Sequence, residues 1–244
     1  AVVTRTPPGP DRWCARVADP AAAAAAEARL YAALGSPIDT WLDVAFHRRL
    51  SRPVSRWAVA RGVTPNQVTV ASGVVGLVAA VVLAAGELLA AVAGVALYAA
   101  AVVLDHADGE VARLTLTESA MGEWLDIAVD TVVHAALVVA LGVAATRVAG
   151  GGMGLGLLAA AGVVLSAILW KLVPPAYEAD GLGRLVERLS SRDAFYAMLL
   201  IFVAIRVVAP GGLPAFMAVI ALGGNAYWPG RLAYLAVRRA RLSR

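Results

Sequence analysis

Cysteine is almost absent from this 244-residue chain: Cys14 is the only one. No internal disulfide is possible, and thiols say nothing of the redox compartment. Charge is scarce as well. Asp, Glu, Lys and Arg make up 16% of residues against 60% hydrophobic, and the mean hydropathy is +0.74. Soluble domains carry roughly 45–50% apolar residues, so a soluble domain is excluded and a polytopic membrane protein is expected. The opening residues, AVVTRTPPGPDRW, lack both an initiator Met and the apolar core of a signal peptide, so a longer parent chain is expected. There is no internal repeat. The net charge of +4 would suit nucleic acid. In a membrane chain the same basic residues set topology and face anionic lipid, so membrane lipid is the expected partner and nucleic acid is not.

Residues 1–37 read as an N-terminal cytoplasmic segment and 38–244 as a membrane domain. Asp19 and Pro20 open an alanine-rich helix as N-cap and first helical residue, and Gly35-Ser36-Pro37 close it. In 38–62, Trp41, Leu42, Ala45, Phe46, Leu50, Val54 and Trp57 alternate with Arg48, Arg49, Arg52, Arg56 and Arg61. This spacing predicts an amphipathic helix in the membrane interface, bent near Pro53; an ordinary soluble amphipathic helix is the alternative. Thr64-Pro65-Asn66-Gln67 is a capping box that opens the first long apolar helix. Six apolar segments follow, near 65–86, 88–113, 119–147, 152–173, 192–209 and 213–237. Each is close to the roughly 20 residues that a bilayer needs. The expected fold class is therefore an all-α integral membrane protein of six transmembrane helices behind a juxtamembrane helix.

Basic residues orient these spans. The Arg-rich stretch before 65, Arg113 in the 109–118 turn, Arg184, Arg188 and Arg192 around the 172–192 loop, and the C-terminal arginines fall on one side. That side is the cytoplasm by the positive-inside rule. Both termini are then cytoplasmic, in a cell inner or plasma membrane. Trp41, Trp57 and Trp228 read as interface anchors.

The cytoplasmic end of the second and third spans carries D-x2-D-G-x2-A-R-x8-G-x3-D-x3-D, filled by Asp105, Asp108, Gly109, Ala112, Arg113, Gly122, Asp126 and Asp130. A carboxylate at a bilayer centre costs roughly 2.5–3.5 kcal/mol on insertion scales, so four of them require compensating charge. Asp105 and Asp108 share one helix face, and Asp126 and Asp130 share another. A short connection makes the helices antiparallel neighbours, and two carboxylate pairs then face each other. The donor set is all oxygen, which favours two Mg²⁺ or Mn²⁺ ions over zinc. Gly109, Ala112 and Gly122 leave room for close helix approach or for a ligand, and Arg113 is a cation for phosphate. Together these are the parts for in-line phosphoryl transfer. The alternatives are a buried ion-pair network or the ion pathway of a cation transporter. His134 reads as a hydrogen-bonded core residue, His106 is given no role, and Glu118 and Glu123 read as solvated helix-end charges.

All eight positions match the signature of the CDP-alcohol phosphotransferase (CDP-alcohol phosphatidyltransferase) family, and the resemblance extends over roughly 38–240. It implies an enzyme that moves a substituted phosphate from a CDP-alcohol donor to an acceptor alcohol and releases CMP. It implies metal on Asp105, Asp108, Asp126 and Asp130, with Asp130 also as general base. It implies nucleotide contacts from Gly109, Ala112, Arg113 and Gly122, and it implies a homodimer. Pro65-Asn66-Gln67-Val68-Thr69 resembles the family's P-N-x-x-T segment, which adds Asn66 and Thr69 near the nucleotide; a plain helix cap is the alternative. Residues 13–39 resemble the junction of two-part enzymes in which a cytidylyltransferase precedes the membrane domain. That resemblance implies a branch making di-myo-inositol phosphate phosphate, with a phosphorylated alcohol such as inositol phosphate as acceptor. Arg192 resembles a basic acceptor-binding position of that branch, whereas Trp170–Asp180 lacks its Tyr-x-Arg segment. Lys171, Arg184 and Arg188 also suit an acceptor phosphate or are topogenic charge. A CDP-diacylglycerol-dependent phosphatidyltransferase of phospholipid synthesis shares the chemistry and remains an alternative.

Overall fold

Two compact units, Ala1–Pro37 and Ile38–Arg244, make up the computed structural model, which describes residues 16–32, Leu34, 40–172 and 191–242. Every described element is helical. In the first unit α1 spans Pro20–Ala32. Asp19 caps it as expected, its Oδ1 accepting the Ala22 N–H at 2.7 Å. Trp13, Cys14, Gly35–Asp39, Pro174, Pro175, Arg184 and Arg188 lie outside the described residues.

The second unit opens with a helix whose first part, Asp43–His47, is a wide π-helical turn. It continues as α2, Arg48–Arg61, and runs through Pro53. The irregularity thus falls upstream of the proline where a bend is expected. Gly62, at φ 66°, ends α2 in the left-handed region that a Cβ disfavours. Amphipathicity is inverted relative to a soluble helix. Asp43, His47, Arg48, Ser51 and Ser55 are buried, while Trp41, Phe46, Leu50 and Trp57 face outward, Trp41 at 78% exposure. An exposed aromatic face flanked by arginines suits a helix lying in a membrane interface.

The remaining helices are α3 (Pro65–Leu83), α4 (Leu88–Thr115), α5 (Ala120–Ala149), α6 (Met153–Leu172), α7 (Arg192–Val208) and, after a 3₁₀ turn at Pro210–Gly212, α8 (Leu213–Leu242). The capping box forms: Thr64 Oγ1 accepts the Gln67 N–H at 3.4 Å, and Gln67 Oε1 accepts the Thr64 N–H at 2.9 Å. Ser119 and Ser191 cap α5 and α7 with one bond each, accepting from Gly122 at 3.1 Å and Ala194 at 3.3 Å.

Among the described residues four helices, α3 to α6, are long and apolar enough to cross a membrane, not the six expected. The protein is a membrane protein on that count. The other two candidates are helical but weaker for physical reasons. Helix α7 has 17 residues and includes Arg192, Asp193 and Arg206. In α8 the apolar run is broken by Gly223, Gly224, Asn225 and Pro229. Arg206 donates Nε–H to the carbonyl of Gly86 at 3.0 Å, closing the turn after α3. Trp228 is half-buried, its Nε1–H on Asn225 Oδ1 at 3.2 Å.

The core lies between α3, α4, α5, α7 and α8, around Leu83, Tyr98, Leu137, Leu141, Leu199, Phe202, Leu213 and Met217. Helices α3 and α5 come unusually close. A Cβ on Gly73 or Gly76 would fall 2.6 Å from Val129 Cγ1 or Val133 Cγ1. Small residues let two spans approach where no hydrophobic force drives them together. Here the approach sets Asp126 and Asp130 beside the N-terminal half of α3.

Candidate metal centre

Helix α4 carries Asp105 and Asp108 in its last three turns. It ends at Leu116, a non-glycine residue at φ 55° whose N–H returns to the carbonyls of Ala112 and Arg113. The chain turns at once into α5, which carries Asp126 and Asp130 on the facing surface. Asp105, Asp108 and Asp126 bring carboxylate oxygens within 4.8 Å of one another. The Asp105 and Asp126 side chains are within hydrogen-bonding reach of each other. Two carboxylates that close need a proton or a cation between them, so the all-oxygen set fits a hard divalent ion. Asp130 stands one turn beyond Asp126 and shares a small cavity with Asp105, lined also by Ser72, Tyr98 and Val129.

Thr69 of the P-N-x-x-T segment touches this cluster, and Asn66 and the small signature residues line the turns beside it. The Thr69 hydroxyl, buried, donates to Asp108 Oδ2 at 2.5 Å. Asn66 is exposed at the start of α3, with its Oδ1 3.5 Å from where a Gly122 Cβ would be. Gly109 faces the guanidinium of Arg113, one turn on, at 3.3 Å from a built Cβ. Ala112 is half-buried in the same turn. A larger side chain at Gly109 or Gly122 would fill the space between these groups.

Arg192, the first residue of α7, reaches across. Its NH2 donates to Asp105 Oδ2 at 2.8 Å and lies 3.8 Å from Asp130 Oδ2. Beneath it His134 donates Nδ1–H to the Asp130 carbonyl at 2.7 Å, and its Nε2 is 3.0 Å from the Tyr98 hydroxyl. His134 is thus the hydrogen-bonded core histidine expected. Lys171 pairs with Glu123 and lies over the Trp124 ring at 5.0 Å, while Glu123 stays exposed in the first turn of α5, the helix-end charge expected.

Two buried polar clusters are not visible in the signature. In the first, Glu110 is 0% exposed and accepts from Ser51 Oγ (2.8 Å), Ser55 Oγ (2.6 Å) and Arg48 NH1 (3.0 Å). In the second, Asp43 Oδ1 accepts from His47 Nδ1 (2.9 Å) and His106 Nε2 (3.0 Å). Burial works to raise the Asp43 carboxyl, but the hydrogen bonds from His106, His47 and the Thr40 N–H outweigh it and hold it far below the usual carboxylate range. His106, given no role from sequence, is therefore a structural partner of the juxtamembrane helix. A signal existed: Asp43, His47, Ser51 and Ser55 recur every four residues, a polar stripe opposite the tryptophans.

Residues 62–223, about two thirds of the chain, match the family model described as CDP-alcohol phosphatidyltransferase. No curated protein matches the chain. The match covers the signature, both aspartate helices and α7, and it favours phosphate-transfer chemistry over an ion pathway. The chain belongs to the CDP-alcohol phosphatidyltransferase family and is a transferase of substituted phosphate groups.

Proposed function

We propose that this protein transfers a substituted phosphate from a soluble CDP-alcohol to a phosphorylated alcohol such as inositol phosphate, at a two-Mg²⁺ site open to the cytoplasm, with release of CMP. The observation that carries the reading is the convergence of Asp105, Asp108 and Asp126 from two facing helices, within a chain of this family. Asp105, Asp108, Asp126 and Asp130 would hold the ions; Mn²⁺ satisfies the same oxygen donors. When bound, two divalent ions would offset the charge of the diphosphate and of the transferred phosphoryl group. Charge counting supports two. Four carboxylates balance two divalent cations, which leaves Arg113 to offset charge on the CDP-alcohol diphosphate and Arg192 free for the acceptor.

The acceptor hydroxyl attacks the phosphorus distal to cytidine and loses its proton to Asp130. The new P–O bond forms as the bond to the bridging oxygen breaks, and that oxygen leaves with CMP. Gly109, Ala112, Gly122, Asn66 and Thr69 border the space for the cytidine diphosphate, with Arg113 on its phosphates. Thr69 acts by orienting Asp108. Arg192 supplies positive charge to the phosphate of the acceptor. Helices α7 and α8 are the fifth and sixth spans in this reading, both ends of the chain are cytoplasmic, and the active unit is a homodimer. Residues 1–37 form the tail of an upstream cytidylyltransferase that makes the donor.

The test is CMP release by purified protein with Mg²⁺. CDP-inositol and CDP-diacylglycerol are offered separately, each with inositol phosphate, glycerol phosphate, inositol or serine. Release from CDP-inositol and inositol phosphate, lost on chelation, is expected. Release only with CDP-diacylglycerol would replace this reading with a lipid-making one. Metal-dependent flux without CMP release would replace it with transport.

A further inference from the structure

Asp43, His47 and His106 stand outside the eight-residue signature, yet all three are buried and meet at one carboxylate oxygen. Their outer atoms are also engaged. His106 Nδ1 is 2.9 Å from the Val102 carbonyl, and His47 Nε2 is 3.0 Å from the Tyr196 hydroxyl, with the two rings stacked at 5.4 Å. Thr40 Oγ1 lies between Asp193 Oδ1 (2.6 Å) and Asp43 Oδ2 (2.9 Å). The first turn of α7 is therefore fastened to the juxtamembrane helix at Asp193 and at Tyr196. Arg192 is the residue between these fastenings and the aspartates.

Three buried ligands backed by a carbonyl and a hydroxyl also describe a metal site. Arg192 decides against that. Its NH1 lies 3.7 Å from Asp43 Oδ1 and 3.2 Å from His106 Nε2, at the mouth of the ligand set. The guanidinium already supplies the positive charge that an ion would bring. One guanidinium thus faces two ways: NH1 toward the Asp43 network and NH2 toward Asp105.

We propose that Asp43, held in place by His106 and His47 and with Thr40 holding the start of α7, is the positioning residue whose charge fixes the Arg192 guanidinium over Asp105 and Asp130 and thereby sets affinity for the anionic acceptor. The proposal rests on Arg192 binding the acceptor, as read above. It makes the interface helix part of the active site without touching substrate. A guanidinium held at both ends loses little freedom on binding an anion, which is the gain from preorganisation.

The experiment is a double-mutant cycle with CDP-inositol and inositol phosphate as probes, or whichever pair gives CMP release in the wild type. Asp43→Asn keeps the volume and removes the charge. It is expected to raise the KM for the acceptor about tenfold and to leave the KM for the donor within about twofold. In an Arg192→Gln background the same substitution is expected to change the acceptor KM by less than about twofold. Equal effects on both substrates, or full additivity with Arg192→Gln, would overturn the proposal. A second readout needs no turnover: the rate of Arg192 modification by phenylglyoxal, followed by mass spectrometry against Arg206. Asp43→Asn is expected to raise it several-fold, and an unchanged rate would overturn the proposal even if CMP release is never found. Loss of one equivalent of bound Mn²⁺ in Asp43→Asn would also overturn it, in favour of a metal on the histidines. Should Asp43→Asn fail to fold, Tyr196→Phe removes the hydroxyl on His47 but keeps the stacked ring, and a smaller shift in the same directions is expected. No shift from a folded Tyr196→Phe protein would count against the proposal.

Discussion

Arg48→Met should unfold this protein more readily than any loss of size implies. Glu110 is 0% exposed, and its carboxylate is held by Arg48 and by the hydroxyls of Ser51 and Ser55. Methionine fills much of the arginine's volume but leaves the carboxylate with two neutral donors and no cation. Removing one partner of a buried pair costs about 3–5 kcal/mol, because the other charge stays buried. For a domain of this size each kcal/mol lowers the melting midpoint by roughly 2–4 °C. The expected drop is therefore about 6 °C or more, read as loss of monodispersity or of tryptophan signal on heating in detergent. The double variant Arg48→Met with Glu110→Leu should recover at least half of that drop. With the carboxylate gone, Ser55 keeps its bond to the Ser51 carbonyl at 3.0 Å, and Glu110 no longer leaves a buried charge without its cation. Replacing both partners by apolar groups is often close to neutral. A single variant within about 2 °C of wild type would refute the reasoning, as would a double variant less stable than the single.

Four further outcomes are expected. Asp130→Asn should cut CMP release by about 10²–10⁴ while CDP-alcohol still binds in a calorimetric titration, and substantial residual turnover would remove the base role. Thr69→Val, which deletes the hydroxyl on Asp108, should weaken Mn²⁺ binding about 10–100-fold by electron paramagnetic resonance; an unchanged affinity would show that Asp108 needs no such support. Gly76→Ala would place a methyl 2.6 Å from Val133 Cγ1 and should cost about 1–3 kcal/mol in a thermal melt, whereas Gly211→Ala, with open space around it, should cost far less. Asp43, held below the ordinary carboxylate range, contributes stability that is present above its unfolded pKa of about 3.9 and is lost only as pH falls through its lower folded value. The melting gap between wild type and Asp43→Asn should therefore stay constant from neutral to mildly acid pH and narrow below about pH 4; a gap that widens on acidification would contradict this.

Helix positions were readable because their determinants are local. Thr64 with Gln67, Ser119, Ser191 and Asp19-Pro20 are capping patterns within four residues of chain, and the apolar runs between them have nothing to do but form helix in a membrane. The signature aspartates were readable because their chemistry constrains type and spacing together. The number of spans was less so. Length and apolarity are clear for α3 to α6, but α7 begins with Arg192 and Asp193, whose partners come from the far side of the sequence.

Helix α4 explains why the second network was missed. At about 100° per residue, Asp105, Asp108, Gly109, Ala112 and Arg113 occupy an arc of about 140°, which is the face turned to α5 and the substrate space. His106 and Glu110 continue that arc by about 60°, onto the face turned to α2. Within the signature these two positions are spacers, so a motif reading passes over them. Yet both are buried, and each meets a polar side chain four residues from the next on the opposing helix: His106 meets Asp43, and Glu110 meets Ser51 and Ser55. Burying such groups is unfavourable unless they are paired, so neither partner alone has a reason to be polar. The pairing itself is the reason, and it is a relation between residues some 60 positions apart in the chain. One helix therefore serves two surfaces at once. The signature face carries the aspartates, and the adjoining face pairs with a helix whose other side presents Trp41, Phe46 and Trp57 outward. Arg192 joins the two surfaces, its NH1 3.7 Å from Asp43 Oδ1 and its NH2 donating to Asp105 Oδ2 at 2.8 Å, so a shift of the helix that carries Asp43 changes the charge facing that guanidinium.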